Sequence, residues 1–309
     1  MALHSSSTAG ARHPDAATAT ADAVDLPVLV IENDATDPVG RLGDWLREAG
    51  ATLDIRSGPA GEELPRDLDG FGGLVVMGGA QNAYDDQRAP WLPQVRALLA
   101  LAVQQELATL GVCLGGQLLA VATGGRVERA ESPEYGAQLI AKRQAAVEDV
   151  LFKEMPITPD VLQWHVDAIT QLPPRAVLLA SSPGCEVQAF RVGRRAWGLQ
   201  CHIETTPDIV RLWAAEDAEA LAEYDVAQLV SRAVAAHDDI AEVWRPFAAG
   251  FAAVVADPQR AAGPRTLPMA GSSQPSAAAA TVAGPITDPA EIRAALAAQM
   301  QASRGPHGH

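Results

Sequence analysis

One stretch, residues 107–120, does most to fix the kind of fold this chain can adopt. Leu107, Ala108, Thr109, Leu110, Gly111 and Val112 form an apolar run of strand length, and the residues from Leu114 to Ala120 read as the opening of a helix. Between them stands Cys113, with a glycine two residues to either side. A strand that turns sharply into a helix needs small neighbours, because the backbone at the turn is strained and the chain passes close to itself. The pattern is the sulfur counterpart of the G-x-S-x-G nucleophile elbow. The helix N-terminus favours thiolate over thiol, which makes a cysteine nucleophilic near neutral pH. Taken alone, the same cysteine also fits a small buried hydrophobe.

A candidate base lies further along. Residues 195–204 read as a second buried strand, ending in His202-Ile203-Glu204. Side chains alternate along a strand, so His202 and Glu204 emerge on one face. There the carboxylate can hold the imidazole in the tautomer that accepts a proton from Cys113, the nucleophile–base–orienter arrangement of a catalytic triad.

Around these two points the pattern alternates. Strands are expected over 27–31, 52–55, 73–77 and 108–112, and helices over 39–49, 91–105 and after Cys113. That order predicts an α/β fold, a flavodoxin-like three-layer sandwich with a mostly parallel central sheet. Reactive groups in such sheets gather at the carboxyl ends of strands, where Cys113, His202 and Gly79 all fall. Between 135 and 202 the strands read as shorter and the helices as fewer, which predicts antiparallel additions. Thr206-Pro207-Asp208 reads as a helix start, followed by helical segments over 209–223 and 226–255, with Pro246 breaking or kinking the second.

These motifs together resemble the class I, triad-type glutamine amidotransferases, and among them the free-standing, GMP-synthase-like members. The resemblance runs over residues 26–215 and rests on four matches in order: Gly78-Gly79 with Tyr84-Asp85-Asp86, the elbow through Gln117, Trp164-His165-Val166-Asp167, and Gln200-Cys201-His202-Ile203-Glu204. It implies Cys113, His202 and Glu204 as the triad, and Gly79 with Leu114 as backbone donors to an oxyanion. It also implies Gln117, His165, Asp167 and Tyr84 as substrate-binding residues. Two of these groups have plainer readings. His165 and Asp167 fit a loop histidine with a local hydrogen bond, and the segment 84–86 fits a helix cap or an ordered loop. Two residues depart from the family's pattern. Ile203 stands where proline is usual, which removes a constraint on the turn, and Cys201 replaces an aromatic residue and is expected to point into packing. Cys185, in a Pro-Gly-Cys turn, reads as structural.

The function expected from the resemblance is hydrolysis of L-glutamine through a γ-glutamyl thioester, with ammonia passed to a partner synthetase. Hydrolysis or transfer of another γ-glutamyl compound, and an inactive regulatory homologue, are the alternatives. No Gly-rich phosphate loop follows the triad, so an acceptor enzyme would be a separate subunit. The net charge of −15 argues against a nucleic-acid footprint, and no run is long and apolar enough to span a bilayer. Three cysteines without a metal-ligand spacing fit a reducing, cytoplasmic setting with no metal and no cofactor. The first residues lack a cationic and apolar targeting pattern. Domain organisation is expected as a disordered leader over 1–24, a catalytic domain over 25–256, and an Ala/Pro/Gly-rich flexible tail over 257–309 with a short helix near 289–302.

Overall fold

The structure is a computed structural model, and it describes residues 26–260. The expected leader, most of the tail and its terminal helix lie outside the described residues. The chain opens with β1 (Val28–Glu32), α1 (Gly40–Glu48), β2 (Leu53–Ser57), β3 (Gly73–Val76), α2 (Leu92–Gln104), β4 (Ala108–Val112) and α3 (Leu114–Ala122). It continues through β5 (Arg126–Leu139), β6 (Ala141–Lys142), β7 (Asp160–Gln171), β8 (Val177–Ser181), β9 (Ala189–Val192) and β10 (Ala196–Leu199). It closes with α4 (Pro207–Glu216) and α5 (Val226–Ala256).

Eight strands form one sheet in the order β2-β1-β3-β4-β10-β9-β8-β6. The half from β2 to β10 is parallel, and β9, β8 and β6 add antiparallel strands at the other edge. The sheet divides its side chains between two cores by simple alternation. Val28, Val30, Val75, Leu110 and Val112 pack toward α1 and α5, whereas Leu29, Ile31, Leu74 and Val76 pack toward α2 and α3. Both faces are covered, as a three-layer α/β sandwich requires.

Three expectations about elements need correction. The strands between 135 and 202 are not all short: β7 has 12 residues, and it pairs with β5, a 14-residue strand that ends at Leu139, as a separate antiparallel ribbon. Arg126, Glu128, Arg129 and Glu131 leave much of β5 exposed, and two register shifts interrupt its pairing, so no clean alternation marks it in sequence. The helix carrying Pro246 is not broken there; α5 is one helix of 31 residues. The proline is exposed, while Trp244, Phe247, Ala248 and Phe251 are buried and hold the helix on the sheet. The helix expected over 209–223 ends earlier, at Glu216, and its start is as read, with Thr206 Oγ1 accepting from Ile209 N at 3.3 Å.

Candidate active site

Cys113 sits between β4 and α3 with φ 47° and ψ −109°, a positive-φ conformation that costs a residue with a Cβ free energy. The surrounding glycines allow it. A Cβ on Gly115 would lie 2.0 Å from the Val76 carbonyl oxygen, one on Gly116 2.5 Å from that of Leu199, and one on Gly111 2.4 Å from that of Gly115. The strained turn is tied down by Cys113 N donating to Leu199 O at 2.8 Å and by Gln117 N donating to Cys113 O at 2.9 Å. Leu114 is the first residue of α3, so its N–H is among the donors a helix leaves free at its N-terminus.

His202 and Glu204 follow β10, the strand beside β4. His202 Nδ1 lies 2.6 Å from Glu204 Oε1, and Glu204 Oε2 accepts from Ile203 N at 2.8 Å. Both side chains are almost completely buried, and His202 Nε2 has no hydrogen-bond partner within the described residues. Burial by itself would lower the imidazole's pKa; the Glu204 carboxylate and then the Cys113 sulfur outweigh it and hold the ring well above its ordinary value. Burial works to raise the Glu204 carboxyl, and the adjoining His202 reverses this and holds it below the ordinary value. The pair is therefore built to carry a proton on the imidazole. Trp213 of α4 packs edge-on against that ring, with centroids 4.8 Å apart, and donates from Nε1 to Thr36 O at 2.8 Å.

Cys113 and His202 open onto one cleft of about 340 Å³, whose lining includes Gly79, Gln117, His165 and Asp167. Gly79 follows β3, and its turn is held by Asn33 Nδ2 donating to Met77 O at 2.7 Å. Gln117 Nε2 donates to Asp167 O at 3.0 Å and to Gln200 Oε1 at 3.3 Å, so it joins the elbow helix to β7. His165 has both ring nitrogens engaged, Nδ1 with Asp167 O and Nε2 with Glu134 Oε2, each at 3.0 Å. Asp167 Oδ2 accepts from Asn82 Nδ2 at 2.6 Å.

Tyr84 is the expected site residue that stands apart. It is exposed, it is not part of the cleft lining, and its hydroxyl accepts from Val127 N at 3.2 Å, bracing its loop against β5. Asp86 in the same loop pairs with Arg96 at 2.7 Å, so it orders the loop and does not cap α2. At Ile203, where proline is usual, the N–H supplies a hydrogen bond to Glu204 that proline could not. Cys201 is buried in the core, and its thiol is pushed well up by burial and then by Glu204. Cys185 is likewise buried, pushed up to about 12 by burial first and Glu134 second.

The arrangement of elbow, adjacent His–Glu pair and shared cleft coincides with a sequence-level match. The profile of the family glutamine amidotransferase class-I covers residues 41–210.

The chain belongs to the class-I glutamine amidotransferase family.

Relatives within and around that family have varied names. The glutamine amidotransferase-like protein YfeJ of Salmonella typhimurium is 31% identical over 191 residues, covering 59% of this chain and 77% of that protein. A glutamine-hydrolysing GMP synthase of Ligilactobacillus salivarius is 31% identical over 50% of this chain but only 29% of its own length. Gamma-glutamyl peptidase 4 of Arabidopsis thaliana is 30% identical over 47% of this chain and 58% of the peptidase. The crystal structure of a glutamine amidotransferase from Thermotoga maritima superposes with TM-score 0.67 and 29% identity, covering 74% of this chain and 98% of that one. The α/β architecture expected from sequence is that of these amidotransferase structures.

Two buried triplets bring possible ligand atoms within 4.8 Å of one another, Glu134 with His165 and Cys185, and Asp37 with His202 and Glu204. The carboxylates of both already have partners in the chain: Glu134 is bonded by His165, Ser182 and Gln188, and Glu204 by His202 and Ile203. Burial and then Glu204 push the Asp37 carboxyl well above its ordinary value. No helix among the described residues is long and apolar enough to cross a membrane.

The sequence reading missed Asp34, Asp37, Arg129, Tyr135 and Trp213, which also line the cleft. They come from the β1–α1 loop, the β5–β7 ribbon and α4. The only sequence signal was an acid-rich loop directly after the first strand, beside the point where strand order reverses.

Proposed function

We propose that the chain hydrolyses the C–N bond of a γ-glutamyl amide through a thioester on Cys113, with L-glutamine as the first substrate to test. The observation that supports this most is that His202, held by Glu204 behind it, opens with Cys113 onto one cleft. In this reading His202 Nε2 takes the thiol proton as Cys113 attacks, which leaves an imidazolium beside the nucleophile. The thiolate attacks the γ-carbonyl carbon, and the carbonyl electron pair moves onto oxygen. Gly79 and Leu114 N–H groups stabilise that oxyanion in this reading; such donors typically contribute about 3–4 kcal/mol each. Collapse breaks the C–N bond as His202 Nε2–H protonates the departing nitrogen, which leaves as ammonia or an amine. The neutral imidazole then takes a proton from water, the hydroxide adds to the thioester, and glutamate leaves as the Cys113–carbonyl bond breaks. Glu204 holds the ring and stays ionised throughout. Charges of both signs on the cleft, Arg129 against Asp167 and Glu216, suit the head group of an α-amino acid.

In this reading, ammonia would be released to a separate synthetase, as the similarity to GMP synthases suggests. The likeness to a gamma-glutamyl peptidase supports a second reading, in which the leaving group is an amine or peptide and no acceptor is needed. Ammonia release from glutamine, beside amine release from a γ-glutamyl amine and a γ-glutamyl dipeptide, separates the two. Loss of all turnover in Cys113→Ala is expected in both cases; turnover that survives that substitution would remove the thioester route.

A further inference from the structure

We infer that Asp37 is a positioning residue of this site, a fourth side chain that acts through its carboxyl on the His202–Glu204 pair. The inference rests on the triad reading above.

Three observations place it there. Asp37 is 3% exposed, yet no donor among the described residues reaches its Oδ1. One of its carboxyl oxygens, a ring nitrogen of His202 and a carboxyl oxygen of Glu204 lie within 4.8 Å of one another. The room for this contact comes from Gly78, where an added Cβ would sit 2.0 Å from Asp37 Oδ2 and 3.2 Å from His202 Cε1. The glycine before the expected oxyanion donor thus leaves space that the acid and the imidazole share.

The loop carrying Asp37 is also fastened to the same pair. Arg41 N donates to Glu204 O at 2.9 Å, a Cβ on Gly40 would lie 2.4 Å from that oxygen, and Trp213 links Thr36 O to the His202 ring. The ionisable groups around the Asp37 carboxyl are Glu204 and His202 after β10 and Asp34 in its own loop.

Chemistry then decides the form of the side chain. Two carboxylates this close in a buried space cannot both ionise cheaply. Glu204 holds its charge against His202, so Asp37 keeps its proton and becomes an O–H donor. Glu204 Oε1 and Oε2 each already have one partner and a lone pair to spare, so the neutral acid can hydrogen-bond the carboxylate without competing for His202. An acid held neutral in order to donate is an established way to fix a catalytic charge. The contact limits how far Glu204, and with it the imidazole, can turn away from Cys113.

The test uses the full chain with Asp37→Asn, which keeps size and a donor, and Asp37→Leu, which keeps size without one. The first readout is the rate of Cys113 alkylation by iodoacetamide at pH 7, followed by peptide mass spectrometry; it needs no substrate. The second is kcat and KM on whichever γ-glutamyl amide is turned over. Asp37→Asn is expected to stay within about threefold of the unmodified chain in both readouts. Asp37→Leu is expected to slow alkylation about fivefold and lower kcat about tenfold with KM little changed. If leucine prevents folding, Asp37→Ala takes its place with the same expectation. Leucine matching the unmodified chain, or asparagine falling as far as leucine in a folded protein, would overturn the inference. Differences in alkylation without turnover of any γ-glutamyl amide would uphold Asp37 and reject the substrate assignment. Cys113 no more reactive than a free thiol in the unmodified chain would reject both.

Discussion

The backbone N–H of Ile203 donates to Glu204 Oε2 at 2.8 Å, while Oε1 of the same carboxylate meets His202 Nδ1 at 2.6 Å. Each oxygen of the Glu204 carboxylate is thus engaged from within its own tripeptide. Ile203→Pro removes one of these bonds and a fully buried apolar side chain. A hydrogen bond to a charged group contributes about 1.5–3 kcal/mol, so a fall in melting temperature and a kcat lower by about tenfold are expected. Unchanged kcat in the proline variant would show that the Ile203 bond is dispensable.

Glu204→Gln leaves the shape of the pair and removes its charge. Without the carboxylate, burial dominates and His202 loses its proton near neutral pH. Turnover is expected to fall by about 10²–10⁴, read as kcat on the active substrate. The same variant changes stability with pH. Glu204 has a depressed pKa, so its contribution is present above its ordinary value of 4.5 and is lost as pH falls through the lower folded value. His202 has a raised pKa, so its contribution is full below 6.5 and is lost as pH rises through the higher folded value. The melting-temperature gap between the unmodified chain and Glu204→Gln should therefore be widest between about pH 4.5 and 6.5 and narrow on both sides.

Asp37 has the opposite effect on stability. Its folded pKa lies above the ordinary 3.8, so between those values the folded chain binds a proton that the unfolded chain has released. Stability then falls as pH rises from 3.8 toward the folded value. Asp37→Asn removes this slope. Its melting temperature should gain on the unmodified chain from pH 4 to pH 7, and an equal difference at both pH values would contradict a buried neutral acid.

Gly115→Ala tests the elbow itself. The new Cβ meets the Val76 carbonyl at 2.0 Å, a backbone atom in a central strand that has nowhere to move. Overpacking of this kind costs about 3 kcal/mol, so a clear loss in chemical-denaturation midpoint is expected. Wild-type stability would mean that α3 can shift away from β3.

Cysteine labelling should be selective. Only Cys113 lines the cleft; Cys185 and Cys201 are buried with thiols pushed upward, Cys185 to about 12. Brief iodoacetamide treatment of the folded chain at pH 7 should modify Cys113 alone, and peptide mapping that finds Cys201 or Cys185 labelled at a similar rate would contradict this burial.

Much of the fold was legible because its signals are local. The strand over 108–112 matches β4 residue for residue, and the helix start at Thr206-Pro207 carries the cap that its residue types predict. The β5–β7 ribbon was not legible, since β5 is rich in exposed charge and its register slips twice. Nor was the continuity of α5 through Pro246, because burial of Trp244, Phe247 and Phe251 outweighs a propensity rule. Tyr84 followed Gly79 closely enough in sequence to suggest a shared cleft, yet its loop turns the hydroxyl to Val127.

The sequence by itself determined the chemistry on offer: a cysteine forced into a glycine-flanked elbow, and a His-x-Glu at a strand end. Both follow from steric and alternation rules that act over a few residues. The tertiary structure alone decided what surrounds them. Placing β10 beside β4 set His202 next to Cys113, and the β1–α1 loop, closing over the same strand ends, buried Asp37 against Glu204. Buried charges interact across elements far apart in the chain, so their partners and protonation states emerge only when the sheet is assembled.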